Sequence, residues 1–210
     1  MISFKEKINM SLIKNNIKIE KNPFDLLEKW YKKAKKNEIS NPNAMALSTV
    51  GPFNKPRTRM VLMKEIKENG IIFYTNSNSR KGNHINDNKN VSINFYWKSI
   101  DRQVLISGKI KKISSQESDK YFLTRNRKSQ IGAWASKQSQ KLKSKSNLKT
   151  KFDEIDKKYK GKEIPRPKYW NGYCIYPDSF EFWLQGEGRL HDRVEYKIKS
   201  GQWTTKLLYP

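Results

Sequence analysis

The sequence predicts a mainly β protein with peripheral helices, arranged as an antiparallel barrel of the α+β class. Three observations carry that prediction. Short β-like runs recur over residues 44–113 and again over 172–208. Turn signals separate them, notably Gly51-Pro52, Glu68-Asn69-Gly70 and Asp87-Asn88. The helical patterns are grouped and do not alternate with the strands, and no segment repeats, which argues against a doubly wound parallel sheet.

In chain order, residues 1–21 are polar, basic and weakly patterned, and read as a flexible N-terminal arm before a single domain over 22–210. Asn22-Pro23-Phe24-Asp25 reads as a helix start, with Asn as N-cap, Pro at N1 and an acid at N3. Phe24, Leu27, Trp30, Tyr31 and Ala34 continue it as an apolar stripe to about Lys36, and Asn41-Pro42 breaks the pattern. Strands are expected over 44–50, 58–64, 71–76, 91–97 and 103–113, with a short helix over 79–86 capped by Ser79. A helical section over 115–134 follows, capped by Ser114 or Ser115. The Lys- and Ser-rich tract 137–162 carries another helix over 148–159, and Pro165 and Pro167 end it. The last third returns to strands over 172–176, 180–185, 193–199 and 202–208.

The 210 residues suffice for one domain with a core. No apolar run approaches the roughly 18 residues of a membrane span, the N-terminus lacks a secretory h-region, and Cys174 stands alone. A reducing cytoplasm, with no membrane association and no internal disulfide, is the expectation. The two histidines, His84 and His191, make no metal pattern. The formal charge of +24 raises a polyanion-binding module as the competing class. The kind of cation weighs against it. Only nine of the 44 basic residues are Arg, whereas Lys is spread along the whole chain and mainly solvates a surface. No specific nucleic-acid partner is expected; weak nonspecific attraction to polyanions follows from the charge.

Several constellations carry chemistry. Within residues 181–193, an extended second half would put Arg189, His191 and Arg193 on one face. Trp183 and Gln185 would share a face in the first half, with Gly186 and Gly188 making the bend. Two guanidiniums and an imidazole beside an aromatic ring suit a planar anion; an ordinary solvated hairpin is the bland alternative. In the run Arg59-Met60-Val61-Leu62-Met63-Lys64, the two cations point to opposite faces of a regular strand, so one site would have to wrap the strand end. Tyr74-Thr75 leads through a polar turn to Ser79-Arg80-Lys81 at a helix N-terminus, which is either a phosphate site or a plain capped turn. Tyr121, Arg125 and Ser129, spaced by four, share one face of a helix and together suit a phosphate monoester. Gln103, Gln138 and Ser139 offer hydrogen bonds to a heterocycle edge, or are simply solvated.

Taken together these segments resemble the pyridoxamine 5′-phosphate oxidase family. The resemblance rests on Arg59-Met-Val-Leu-Met-Lys64, Phe73-Tyr-Thr-Asn76, Ser79-Arg-Lys81, Arg102-Gln-Val104, Ser129-Gln-Ile-Gly-Ala-Trp134, Ser136-Lys-Gln-Ser139, Glu181-Phe-Trp183 and Arg189-Leu-His-Asp-Arg193, and runs from about Asn22 to the C-terminus. It implies an FMN-binding antiparallel split β-barrel working as a homodimer, with FMN in a cleft between subunits and phosphorylated B6 vitamers as substrates. By that pattern Arg59, Met60, Val61, Leu62, Met63, Lys64, Tyr74, Thr75, Arg80 and Lys81 line the FMN site, which Gln103, Gln138, Ser139, Trp183 and Arg193 complete. Lys64, Tyr121, Arg125 and Ser129 hold the substrate phosphate, with the catalytic pair Arg189 and His191 beside the pyridine ring. The implied reaction oxidises pyridoxamine or pyridoxine 5′-phosphate to pyridoxal 5′-phosphate, with dioxygen as acceptor, giving hydrogen peroxide and, from the amine, ammonia.

Two departures stand out. The family arm usually brings an Arg and a Tyr over the site, and residues 9–18 hold neither; the usual C-terminal Arg-Leu-x-Pro is here Leu207-Leu208-Tyr209-Pro210, with Lys206 one position early.

Overall fold

The computed structural model describes residues 16–210. The chain runs through α1 (Pro23–Asn37), β1 (Ala44–Val50), β2 (Pro56–Leu62), β3 (Glu65–Lys67), β4 (Gly70–Asn76), α2 (Arg80–Asp87), β5 (Asn90–Trp97) and β6 (Arg102–Lys112). It continues through α3 (Ser115–Leu123), α4 (Arg127–Ala135), α5 (Lys145–Lys158), β7 (Trp170–Leu184), β8 (Asp192–Lys199) and β9 (Gln202–Leu207). The strands join in one antiparallel sheet of order β2-β1-β5-β6-β7-β4-β3, with β8 paired to β7 and β9 to β8. The sheet curls into a half-barrel, with helices packed on it.

β7 makes the curl. Its first half pairs with β4 and its second half with β8, while β6 runs along its whole length on the other side. Two strands, over 172–176 and 180–185, were expected here, with Pro177 in the gap between them. The strand survives as one because the register against β6 slips between Ser107 and Gly108 and skips Asp178. Such a bulge bends the strand and absorbs the missing N–H of Pro177. Gly108 is required at that point: a Cβ there would lie 2.2 Å from the Tyr176 carbonyl oxygen.

α1 forms as its local chemistry dictates. The Asn22 side chain accepts from the Phe24 N–H at 3.0 Å, Pro23 opens the first turn, and Lys35 and Lys36 oppose the dipole in the last. Its apolar stripe plugs the half-barrel, with Phe24 edge-on to Phe180 and Trp30 edge-on to Phe182. Each of these buried side chains contributes roughly 1.5–3 kcal/mol of burial. A second, smaller core of Phe122, Ile131, Ile155, Ile164 and Trp170 binds α3, α4 and α5 together beside the start of β7.

Three further expectations are corrected. The helical section over 115–134 is two helices, because Thr124 caps the first and the Asn126 side chain starts the second by accepting from the Ser129 N–H at 2.8 Å. β2 stops at Leu62, and the short β3, which pattern alone did not reveal, pairs with β4 across Glu68-Asn69. Arg189 is not extended: it closes a short turn over Glu187–Arg189 with φ 65°, so Arg189, His191 and Arg193 do not alternate along one strand.

Of the expected N-terminal arm, residues 1–15, including most of the segment lacking Arg and Tyr, lie outside the described residues. Its last part packs on β8: Ile17 is buried, Asn16 donates to Asp192, and Glu20 exchanges hydrogen bonds with the Tyr196 hydroxyl.

Candidate active site

A cleft of about 720 Å³ opens between β2, β4 and the α3–α4 corner. Among the described residues its charged lining is Lys64, Lys81 and Arg125, with no Asp or Glu. A second cleft, of about 590 Å³, adjoins it through Met60, Lys81 and Gln138, and carries Arg57, Arg59 and Arg80, again without a carboxylate. Among the described residues the two together hold six cations and no acid, which makes both poles attractive to anions.

The end of β4 and the start of α2 build the floor between them. The Ser79 hydroxyl donates to the Asn76 carbonyl and accepts from the Gly82 N–H, which seats the first turn of α2. Lys81 is 8% exposed, and its ammonium donates to Thr75 Oγ1 at 3.1 Å and Gln138 Oε1 at 3.0 Å. Burial, reinforced by the charge of Arg59, pushes Lys81 down to about 8. A buried ammonium held by neutral acceptors alone is costly, and a bound anion would relieve that cost.

Arg125 is the counterpart in the larger cleft. Its guanidinium lies over the Trp170 ring, 4.6 Å from the centroid, and its buried Nη1 has no hydrogen-bond partner among the described residues. Desolvation moves Arg125 below its ordinary value. Trp170, Tyr74 and Tyr121 stack as near-parallel planes, with Tyr74 4.0 Å from Tyr121 and 5.0 Å from Trp170. Burial pushes the Tyr74 phenol up to about 12, so it stays a neutral donor. Arg59 is anchored from behind: its Nη1 donates to the Leu47 carbonyl at 3.0 Å and to Thr49 Oγ1 at 2.7 Å.

Most residues expected from the sequence converge here. Met60, Val61, Leu62, Lys64, Tyr74, Thr75, Lys81, Tyr121, Arg125, Ser129 and Gln138 line the large cleft. Arg59, Arg80 and Ser139 line the adjoining one. Arg59 and Lys64 serve different clefts because β2 ends between them. Tyr121, Arg125 and Ser129 meet although they share no single helix; the turn at Thr124–Asn126 bends the chain round the cleft. Met63 instead faces the core, 3% exposed.

Gln103, Trp183 and Arg193 form a separate group. They stand in one cross-strand row of β6, β7 and β8, whose alternate neighbours Val104, Phe182 and Val194 fill the core. The row therefore faces away from the core. His191 tilts against Trp183 at 4.6 Å, and its Nδ1 accepts from the Gly186 N–H. Arg193 donates Nε and Nη2 to Glu181 at 2.9 and 2.8 Å, and Nη1 to the Tyr209 carbonyl. Neither cleft reaches this row or Arg189.

Trp170 and Asn126, which no sequence motif marked, also line the large cleft. The Asn126 capping position was readable once the helix break was known. No local pattern marks Trp170, whose role comes from stacking on residues distant in sequence.

The fold and the site define a class: an antiparallel half-barrel with a helical flank, built to hold small anionic ligands in joined clefts. Comparison with known proteins narrows it. Residues 31–159 match the family model described as pyridoxamine 5′-phosphate oxidase, and residues 170–210 match the pyridoxine 5′-phosphate oxidase C-terminal dimerisation region. The chain belongs to the pyridoxine/pyridoxamine 5′-phosphate oxidase family. The Pelagibacter ubique pyridoxine/pyridoxamine 5′-phosphate oxidase is 46% identical over 190 residues, covering 90% of this chain and 91% of that protein. The Aliarcobacter butzleri protein of the same name is 46% identical over 193 residues, 91% of each chain. Among solved structures, PhzG from Burkholderia lata, in complex with tetrahydrophenazine-1-carboxylic acid, superposes with a TM-score of 0.87 at 30% identity, covering 91% of this chain and 94% of that one. A pyridoxamine 5′-phosphate oxidase-related, FMN binding protein from Nostoc punctiforme shares the fold, with a TM-score of 0.72 at 15% identity, covering 91% of this chain and all of that one. Among the described residues no helix is long and apolar enough to cross a membrane.

Proposed function

We propose that this chain is an FMN-dependent oxidase that converts pyridoxamine 5′-phosphate and pyridoxine 5′-phosphate to pyridoxal 5′-phosphate. Dioxygen is the electron acceptor, hydrogen peroxide the by-product, and ammonia the leaving group from the amine. The observation that carries this reading is the pair of joined, acid-free clefts, with Lys81 buried against neutral acceptors and Arg125 Nη1 unpartnered. Two anionic poles side by side suit two phosphate-bearing molecules, a cofactor and a substrate. The residues present fit FMN: Arg59, Arg80, Lys81 and Ser139 surround the pole suited to its phosphate, and Met60–Lys64 with Tyr74, Thr75 and Gln138 lead from it into the large cleft.

In this reading Lys64, Tyr121, Arg125 and Ser129 bind the substrate phosphate by charge-assisted hydrogen bonds. FMN held by these residues would supply the redox chemistry, a two-electron oxidation at substrate C4′ with dioxygen as the final acceptor. The protein orients the substrate, excludes water around the stack of Tyr74, Tyr121 and Trp170, and polarises the pyridine ring. Arg189 and His191 are assigned that last role. Arg189 and Ser139 both hold left-handed backbone, with φ 65° and 71°, without being glycine. Such conformations cost about 1 kcal/mol or more and collect at ligand-handling turns.

The outward row of Gln103, Trp183 and Arg193, with Arg189 and His191, completes the site across a homodimer interface. Its support is threefold. Most of the row lies in the segment matching a dimerisation region. The row stands apart from both clefts. Large apolar side chains stay exposed on β2 and near the row, with Met60 at 62%, Leu190 at 53% and Leu207 at 61%.

The test is direct. The purified protein should be a yellow dimer, and pyridoxine 5′-phosphate should release peroxide in step with pyridoxal 5′-phosphate. A colourless protein that neither takes up FMN nor makes peroxide would overturn the assignment.

A further inference from the structure

The two histidines have unequal standing in the chain. His191 belongs to the site just described; His84 belongs to no ligand motif, yet it is 6% exposed and lines a neighbouring cleft that shares Arg57 and Arg80 with the smaller cationic one. Its Nδ1 is 3.1 Å from Thr49 Oγ1, and Thr49 is itself 1% exposed. The same Thr49 oxygen receives the Arg59 Nη1 proton at 2.7 Å. Arg59, Thr49 and His84 thus form a chain of hydrogen bonds from β2 through β1 to α2.

Proton counting fixes the first link of the chain. A guanidinium carries only donors, so Thr49 Oγ1 accepts from Arg59. The single hydroxyl proton of Thr49 is then available to His84 Nδ1 in the tautomer that carries the ring proton on Nε2, which is the arrangement assigned here. A hydroxyl that donates becomes a stronger acceptor, so His84 tightens the hold of Thr49 on Arg59. The seat of His84 is built to measure: a Cβ on Gly51 would fall 2.5 Å from the imidazole ring. α2, which carries His84, also presents Arg80 and Lys81 to the smaller cationic cleft.

We propose that His84 is a positioning residue for the cofactor phosphate pole, acting through Thr49 to aim the Arg59 guanidinium. This rests on the FMN reading above. His84 touches no ligand in this arrangement; it fixes the geometry of a residue that does. The sequence offered no hint of it, because the relay joins positions 35 residues apart in the chain.

The experiment measures FMN binding to the full-length apoprotein by quenching of flavin fluorescence, together with thermal melts of each apoprotein. His84→Leu keeps the bulk and removes the acceptor; His84→Asn places an amide oxygen close to the former Nδ1. Leu is expected to weaken FMN binding by about five- to tenfold, the upper range for one lost neutral hydrogen bond. Asn should stay within about twofold of the parent. In an Arg59→Gln background the same His84→Leu change should do nothing further, since there is no guanidinium left to aim. Equal weakening by Leu and Asn, or a His84→Leu effect that persists without Arg59, would mean a merely structural role and sink the proposal. Parental protein that fails to quench FMN would overturn the cofactor reading and this inference together; parental binding with unmoved variants would overturn this inference alone.

Discussion

Two regions of the molecule carry the expected site residues, and their electrostatics are opposite. In the joined clefts, Lys81 and Arg125 are buried or half-buried with no carboxylate near them. In the outward row, Arg193 is already neutralised by Glu181 and tied to the Tyr209 carbonyl. The first region holds unspent positive charge and awaits anions. The second is electrostatically satisfied but geometrically open, with aromatic and apolar surface facing out. One chain thus presents an acid-free cationic region in one place and an ion-paired, outward-facing row in another, the division that the proposed dimer with shared sites would use.

The sharpest way to break that comparison is to remove the charge from the first region. Arg125→Met should lower kcat/KM for pyridoxine 5′-phosphate by about a hundredfold, since a desolvated guanidinium–phosphate contact is worth 2–3 kcal/mol or more. The apoprotein should be no less stable, because an uncompensated buried cation is a cost to folding. Steady-state kinetics and a thermal melt decide both halves; an unchanged kcat/KM would remove Arg125 from the site.

The second test joins the regions. Arg189→Ala should cut turnover while FMN stays bound, so each of these variants is a crippled homodimer. Mixed dimers of one Arg125→Met and one Arg189→Ala subunit contain one intact site if the regions meet across the interface. They should recover about half the parental turnover. Differently tagged, co-expressed subunits supply the material. Mixed dimers as poor as their parents would show that each chain works alone.

A third prediction concerns pH. The folded, ligand-free protein holds Lys81 at about 8, whereas an exposed lysine titrates near 10.4. The unfolded chain therefore binds more protons between those values, and apoprotein stability attributable to Lys81 rises with pH through that window. Anion binding runs the other way. FMN affinity should be full below pH about 8 and fall by up to tenfold per pH unit above it, as the cleft loses its ammonium. Lys81→Met should flatten that slope in a fluorescence titration; a slope that survives in the variant would assign it elsewhere.

How much of this was legible in the sequence depended on how local the cause was. The α1 start at Asn22-Pro23, the Ser79 cap and the strands β1 and β5 follow from neighbours in sequence, and they appeared where expected. The cleft residues were legible too, from cations, hydroxyls and aromatics grouped in short motifs and from their resemblance to one family. What failed were expectations that tertiary contacts overrule. A bulge at Gly108 carries β7 past Pro177. A cap at Asn126 splits a helix that spacing alone would continue. A left-handed Arg189 ends an alternation that would have put two guanidiniums and an imidazole on one face. Trp170 and His84 act through partners far along the chain, and a one-dimensional pattern holds no trace of such contacts.

The smallest effect tests whether the second region is as satisfied as its contacts imply. Glu181 and Arg193 are 21% and 29% exposed, so water screens much of their attraction. Arg193 also keeps a neutral acceptor in the Tyr209 carbonyl at 2.8 Å. Glu181→Gln retains an oxygen that still accepts from the guanidinium and removes only the charge. The loss in urea denaturation should be below about 1 kcal/mol, the range for a partly solvated pair. FMN affinity should stay within about threefold of the parent, since the arginine remains aimed. A loss of several kcal/mol would show that Glu181 compensates a cation as poorly solvated as those in the clefts. The two regions would then differ only in which of them carries its own counter-charge.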